Sequence, residues 1–548
     1  MPPADLPAFL ARIPMGLGLA VEIGCGAGGL GAWMARRDPG ARRIGTTADP
    51  AEAARAAPHY DAVHVVPPET GAPVPPGTAD LVILHGPIAD PAAAIATAAR
   101  MLAPQGILLA DIPNAGHWRL AEAAMAQPSP TPDAERGLDY GSLLAAIKAA
   151  GLHPLDLHAP IAEEAAAAAA FARRIGPLLA ALGTTPAAWL RRAGPARFLL
   201  RAGRAPARPL HLVAHVLKPV GGVNDVRIGL PLAALASWPG VAVRMGEAPD
   251  MPELPAEAPR IMILHRRLLN APEAPRFINH FRRRGWVVVQ EFDDDPAHWP
   301  VIAGSNHFAF RGVHAVQTST PALEALLHRF NDEVAVFPNT VADLPELANF
   351  ADPSRLRLFL GGMRRGPDYA PYLAELNAVL AEAGDRLAVE VVFERETFDA
   401  LRTPHKRFHP LLPYPTYRAL MAGCDIAFMP LADTAFNSFK SDLKFVEAGA
   451  HGLACLASPV VYEATIREGE TGMIVRDPAE FGAALRGLLA DPGRARAMGA
   501  AARRWVRENR MLASQTPGRL AWYRSLWERR AALDAALLAR APELGRGG

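Results

Sequence analysis

DIAFMPLADTAFNSFKSDLKFVEAGAHGLACLASPVVYEATIREGETGMIV, Asp425–Val475, reads as a strand, a polar loop, a helix, a second strand and a glycine turn. IAFM is a short apolar run between polar residues, as expected of a buried parallel strand. Ser441 is placed to cap a helix SDLKFVEAGA, and Gly452 follows its end. Lys440, Lys444 and Glu447 fall at i, i+4 and i+7 and would form one stripe of that helix. Two ammonium groups near a helix N-terminus suit a diphosphate. A carboxylate one turn further on can accept two vicinal hydroxyls. Diphosphate and ribose are the parts that nucleotide-sugars share. The plainer reading is a solvated face on which Lys444 pairs with Glu447, and on an arbitrary helix that reading would be preferred.

The same alternation of strand-like and helical runs extends over nearly the whole chain and predicts an α/β protein with parallel sheets. Early strands are expected at Leu19–Ile23, Arg43–Thr46, Ala62–Val66, Leu81–Leu84 and Ile107–Ala110, and Phe198–Arg201 closes the series. Helices are expected at Leu30–Arg37, Pro91–Leu102, Ser142–Ala150 and Ala162–Leu182. The basic, proline-bearing RAGRAPARP follows, and a domain boundary is placed near residue 205. A second series runs from Leu210–His215 through Arg260–Leu264, Trp286–Gln290, Ala315–Thr318 and Glu333–Phe337. A third runs from Leu356–Leu360 through Ala388–Val392 and Ile426–Met429 to Leu453–Ala457, and a helical tail ends the chain.

Composition bounds the function. The 548 residues suit three or four domains, and half of them are hydrophobic. The net charge of +2 argues against a nucleic-acid partner. Cys25, Cys424 and Cys455 are far apart in sequence, so no zinc ribbon or disulfide framework is expected, and a reducing, cytoplasmic setting is. No apolar run is long enough to span a membrane, and the N-terminus lacks a secretion signal. Only five of the 57 basic residues are lysine, and two of those are Lys440 and Lys444.

VEIGCGAGG, Val21–Gly29, follows the first strand and precedes a helix. Gly24, Gly26 and Gly28 allow backbone to approach a ligand. GxGxxG through Gly29 is shared with dinucleotide enzymes, but Glu22 would repel a pyrophosphate and could bind an ammonium group. Together with ADLVILHGPIADP and MLAPQGILLADIPN, this stretch resembles class I S-adenosylmethionine-dependent methyltransferases over roughly residues 15–205. The resemblance implies cofactor contacts by Glu22, Gly24, Gly26 and Gly28. Thr47 stands where the family carries a ribose-binding carboxylate, and Asp49 is the expected substitute. Gly86 and Pro87 replace a polar pair before Asp90–Pro91, so weak or absent methyl transfer is expected.

KSDLKFVEAGAHGLACLAS, with GETGMIV beyond it, resembles the donor-binding half of GT-B-fold glycosyltransferases of group 1, family 4-like. KPVGGVND resembles their N-terminal glycine loop, VAVFPNTV their hinge-side strand end and LRLFLGGMRRGPDYAPYL the opening of the nucleotide-binding half. The fold implied is a Rossmann-like methyltransferase domain (1–205) followed by an acceptor lobe (206–345) and a nucleotide-sugar lobe with C-terminal helices (346–548). By position, Glu447 is the ribose ligand. Lys440, Lys444 and either Arg364 or Arg365 are diphosphate ligands, and Gly221, Gly222 and Ser441 also belong to the substrate site. Phe439 stands where many retaining members carry a second glutamate, so Asn437 or Asp433 is expected at the sugar. EFDDDP could chelate a metal through Asp293, Asp294 and Asp295, but a solvated acidic turn is the preferred reading, and no metal is expected. His265 is read as structural. The function implied is transfer from a nucleotide-sugar to a cell-surface glycan or lipid-linked acceptor, in the cytoplasm and compatible with peripheral membrane contact. The rivals are a scaffold that keeps both folds and an NAD-type oxidoreductase fusion.

Overall fold

The computed structural model describes residues 6–126, 137–160, 164–217 and 222–545. The chain divides into two compact units, Met1–Pro209 with Leu235–Val241, and Leu210–Ala234 with Ala242–Gly548.

Unit one holds β1 (Leu19–Ile23), β2 (Arg42–Thr47), β3 (Ala62–Val65), β4 (Ala79–Leu84), β5 (Leu102–Pro113), β6 (His153–His158) and β7 (Arg197–Gly203). Their order in the sheet is β3-β2-β1-β4-β5-β7-β6. The first five are parallel, and β7 runs antiparallel between β5 and β6. Val21, Ile23, Val82, Leu84 and Leu108 fill one face of the sheet with buried aliphatic side chains. The strand order turns back between β1 and β4, which opens a crevice at their C-terminal ends. The expected helix over Ala162–Leu182 is two helices, Ala165–Arg174 and Gly176–Ala181; residues 162–163 lie outside the described residues.

Unit two contains two sheets. The first has β8 (Leu210–His215), β9 (Val241–Gly246), β10 (Arg260–His265), β11 (Val287–Glu291), β12 (Ala315–Thr318) and β13 (Val334–Val336), in the order β13-β12-β11-β10-β8-β9. The second has β14 (Leu356–Gly361), β15 (Leu387–Val392), β16 (Lys406–His409), β17 (Ile426–Met429), β18 (Ala454–Ala457) and β19 (Met473–Ile474), all parallel, in the order β16-β15-β14-β17-β18-β19. This is a two-lobed, Rossmann-like arrangement. In its second lobe the strand order turns back between β14 and β17, so the loops after these strands border the crevice. The C-terminal helices return to the first lobe: Leu537, Ala541 and Leu544 join its core with Val288, Phe292 and Leu323.

One helix matters most. It covers Leu443–Ala450, and its N-cap is Asp442, not Ser441. Asp442 makes no side-chain cap; its carboxylate accepts from Arg510 at 2.7 and 3.0 Å and from Thr465 at 2.7 Å. Lys440 therefore precedes the helix, and the expected three-residue stripe is a turn followed by a helix. The helix Pro492–Asn509 packs behind it through small residues. A Cβ on Gly499 would lie 1.9 Å from the Gly452 carbonyl oxygen, and one on Gly449 would lie 3.0 Å from Val506 Cγ2. Gly499→Ala should therefore push the two helices apart and cost about 1–3 kcal/mol. Chemical denaturation of the full chain, read on the unit-two transition, checks this; an unchanged midpoint would show that the packing tolerates a methyl group.

Candidate functional site

In unit one the glycine turn follows β1 and leads into the helix Gly29–Arg37. Gly24 and Gly28 have φ of +86° and +89°. A Cβ on either would strike backbone, His85 O at 2.3 Å or Ala56 Cα at 2.8 Å, so both serve the turn; Gly24 also lines the cavity beside it, and Gly28 does not. A Cβ on Gly26 would meet the Glu52 carboxylate at 4.0 Å, and Gly26 lines a cavity of about 890 Å³ with Glu22, Thr47, Asp49, Glu52 and His85.

The carboxylates of this cavity are arranged differently from the expectation. Glu22 is 1% exposed. It accepts from Tyr60 Oη at 2.5 Å, and His85 Nε2 lies 2.6 Å from its other oxygen. Burial and Glu22 raise the Tyr60 phenol well above its usual range. Glu22 is thus already engaged, and an ammonium group would have to displace His85 from it. Asp49 caps the helix Pro50–Ala56, accepting from Ala51 N–H at 2.8 Å. The acid beside Thr47 is instead Glu52, whose Oε2 accepts from Thr47 Oγ1 at 3.1 Å. The residues therefore fit the ribose end of S-adenosylmethionine through Glu52 but do not fit its amino-acid end. Glu52 and His85 escape a reading of the sequence because each reaches the turn from a neighbouring element.

In unit two a cavity of about 290 Å³ lies at the direction switch, lined by Gly362, Arg365, Lys440, Ser441, Lys444 and Glu447 from the second lobe and by Gly222, Arg266, Asp293, Asp294 and Asn339 from the first. Gly221 lies outside the described residues. Gly222 packs against the Tyr414 ring, where a Cβ would come within 2.5 Å of Cδ2. Lys444 is partly buried and donates to the Gly361 carbonyl at the end of β14. Glu447 is 4% exposed; burial raises its carboxyl, while Lys444, a hydrogen bond from Tyr414, and Arg418 oppose that rise. These two side chains face the cavity, not bulk water.

Of the two candidate arginines the cavity takes Arg365; Arg364 is exposed and has a φ of +58°. Arg365 donates to Asn437 Oδ1 at 2.9 Å and to Asp368 Oδ2 at 3.1 Å. Asn437 is buried and also donates to the Ala432 carbonyl, so it positions Arg365 and does not line the cavity; Asp433 is exposed. Ser441 Oγ accepts from Asn339 Nδ2 at 2.7 Å instead of capping the helix. Lys440 Nζ lies 2.6 Å from Asp294 and 4.1 Å above the Phe436 ring.

The acidic turn is not solvated. Asp294 and Asp295 are buried, and Asp293 is largely so. Arg266 pairs with Asp293 at 3.1 Å and with Asp294 at 2.7 Å. Burial would raise the Asp293 carboxyl, but Arg266, Arg227, His265 and Lys440 together hold it below its usual range. Among the described residues no group of three or more His, Cys, Asp or Glu side chains is arranged to hold a metal ion. Arg266 and Tyr414, which the sequence reading missed, complete this site; neither belongs to a motif of its own. The arrangement gathers Arg365, Lys440, Lys444 and the backbone at Gly362 at one crevice, with a buried carboxylate one helical turn away, a set able to hold an anion beside a hydroxyl-bearing group.

Comparison with known proteins agrees with this geometry. The family model for glycosyl transferases group 1 matches residues 358–491, and a methyltransferase domain model matches residues 21–110. A search of curated protein sequences finds no match. Among solved structures, TarM of S. aureus is 12% identical over 48% of this chain, with a TM-score of 0.37; the match spans about half of TarM, 54% of its length. Sucrose-phosphate synthase from Thermosynechococcus elongatus is 16% identical over 59% of this chain and 100% of its own, with a TM-score of 0.44. An S-adenosylmethionine dependent methyltransferase from Mesorhizobium loti is 17% identical over 36% of this chain and 97% of its own, with a TM-score of 0.25. The chain carries a methyltransferase domain and a group 1 glycosyltransferase domain. The second of these lies at residues 358–491, the part of the chain that holds the site. Among the described residues no helix is long and apolar enough to cross a membrane.

Two buried histidines flank the site. His265, at the end of β10, is 1% exposed and neither ring nitrogen has a hydrogen-bond partner. His451 Nδ1 lies 2.7 Å from the Glu447 carbonyl oxygen. Burial lowers both imidazoles to about 4. The folded chain therefore keeps them neutral while the unfolded chain takes up protons, so stability falls as pH drops from about 6.5 towards 4, by about 1–2 kcal/mol for each by pH 5. Melting curves at pH 7.5 and 5 should show this loss, and His265→Gln should shrink it. An equal loss in the variant would remove His265 from the account.

Proposed function

We propose that the protein transfers a sugar from a nucleotide-sugar to a hydroxyl of a glycan or lipid-linked acceptor used at the cell surface, and that it does so in the cytoplasm at the inner face of the membrane. The observation that carries this is the convergence of Arg365, Lys440, Lys444 and Glu447 on one cavity at the switch between β14 and β17. In the reaction the bond from the anomeric carbon to the diphosphate breaks and its electrons pass to the leaving phosphate oxygen. The acceptor oxygen bonds to the same carbon and its proton passes to the departing phosphate oxygen or to water. The chain's task is to stabilise the charge growing on the diphosphate, and side-chain cations at the crevice supply that stabilisation without a metal. Glu447 would accept the ribose hydroxyls. Gly222 would close the far side of the cavity.

The methyltransferase domain is proposed to keep the nucleoside side of its cofactor site, through Glu52 and Gly26, and to transfer methyl groups weakly or not at all. S-adenosylmethionine, when bound, supplies an electrophilic methyl on a sulfonium. The engagement of Glu22 by Tyr60 and His85 supports this reading, because an ammonium group would compete with both for that carboxylate.

Release of nucleoside diphosphate from a panel of nucleotide-sugars, followed with the full chain, tests the donor site. Lys444→Met should lower kcat by about 100-fold, since it removes charge stabilisation that grows in the transition state. Glu447→Gln should raise KM by about tenfold with less change in kcat, because the ribose keeps its charge during reaction. Release should survive a chelator. Near-normal kinetics in both variants, or abolition by the chelator with recovery on adding manganese, would overturn the assignment.

A further inference from the structure

Lys440 and Asp294 come from different lobes and meet across the cavity at 2.6 Å. Their surroundings are unequal. Asp294 has a second cation, Arg266 Nη2 at 2.7 Å, and also accepts from Asp295 N–H at 3.1 Å. Among the described residues Lys440 has Asp294 as its one hydrogen-bonding anion, with the Phe436 ring beneath it. Arg365, by contrast, is held by Asp368 and Asn437, neither of which lines the cavity, so its partners do not compete for the space a ligand would fill.

We propose that Asp294 is a clasp on the donor site: it holds Lys440 across the cleft until a diphosphate takes the ammonium from it, and Arg266 keeps Asp294 compensated after the exchange. This rests on the donor-site reading of the same cavity. A diphosphate carries more charge than one carboxylate and offers more acceptor oxygens, so it can outcompete Asp294 for Lys440. The exchange leaves neither carboxylate without a cation partner, because Arg266 reaches both Asp294 and Asp293, one guanidinium then serving the two. A buried pair broken without a replacement partner would be strongly unfavourable. The clasp lowers apparent donor affinity, since part of the binding free energy goes into displacing Asp294. It also ties donor occupancy to the contact between the lobes: when the donor enters, the lobes exchange a direct ion pair for one made through the diphosphate. Asp294 is thus a positioning residue, acting on the donor through Lys440.

Calorimetric titration of the full chain with uridine, guanosine and adenosine diphosphates, and with the matching nucleosides, tests this. Asp294→Asn keeps the shape and removes the competing charge, so it should tighten the diphosphate that binds by about tenfold and leave nucleoside affinity unchanged. Lys440→Met should weaken the diphosphate, and adding Asp294→Asn to Lys440→Met should bring no further tightening. Asp294→Ser serves if the Asn variant does not fold, with the same expectation. A diphosphate that binds but is indifferent to Asp294, or that tightens equally with and without Lys440, overturns the clasp and leaves the donor site standing. Failure of every diphosphate to bind overturns both.

Discussion

Unit two is organised around one buried ion pair. Arg227 is 2% exposed and Glu291 is fully buried. Arg227 reaches both Glu291 oxygens at 2.8 and 3.2 Å, and it also donates to the Phe337 carbonyl at 2.7 Å and to Asn339 Oδ1 at 2.8 Å. Glu291 accepts further from Gln317 at 2.6 Å, and Gln317 accepts from Tyr523 at 2.6 Å. Burying two charges is expensive, and the structure offsets that cost by satisfying most of the lone pairs and N–H groups involved. The same network has a positional consequence. Asn339, fixed by Arg227, donates to Ser441 just ahead of the site helix. Tyr523 lies on the C-terminal helix that returns to the first lobe. One charge pair thus links the end of β11, the segment between the lobes, the turn before the site helix and the chain's return.

Both units place their cavity by the same topological rule. In each, the strand order turns back between two neighbouring parallel strands, and the loops after those strands open a crevice. What differs is how the polar groups are used. In unit one the central carboxylate, Glu22, is satisfied by Tyr60 and His85, so the cavity is large but already paired internally at its acid. In unit two Lys440 and Asp294 pair across the opening itself, where an incoming anion can compete with Asp294 for the ammonium group. The same fold rule therefore gives two cavities whose charged groups are paired in different ways.

Much of the fold was legible. The strands Leu19–Ile23, Leu210–His215, Ala315–Thr318 and Ile426–Met429 are found where their apolar runs place them, because buried parallel strands are continuous in hydrophobicity. HPLDLH and KRFH were not seen as strands. They are β6 and β16, each at a sheet edge with polar side chains and no apolar run to mark it. In the site, the motifs located Lys444 and Glu447 but could not give partners. EFDDDP looks solvated in isolation, and only the fold brings Arg266 and Lys440 onto it. Ser441 looks like a cap until Asn339, about a hundred residues away in sequence, takes its hydroxyl. Local chemistry is written in sequence; long-range pairing is not, and here pairing decides what each charge does.

The central claim is that a nucleoside diphosphate binds at the C-terminal ends of β14 and β17. Hydrogen–deuterium exchange on the full chain, with and without each of uridine, guanosine and adenosine diphosphate, tests it most directly. The account predicts that one of them slows exchange in Leu360–Arg365 and in Asn437–Glu447 and leaves Val21–Gly29 unchanged. Protection confined to Val21–Gly29, or no protection in the second lobe with any of the three, would contradict it.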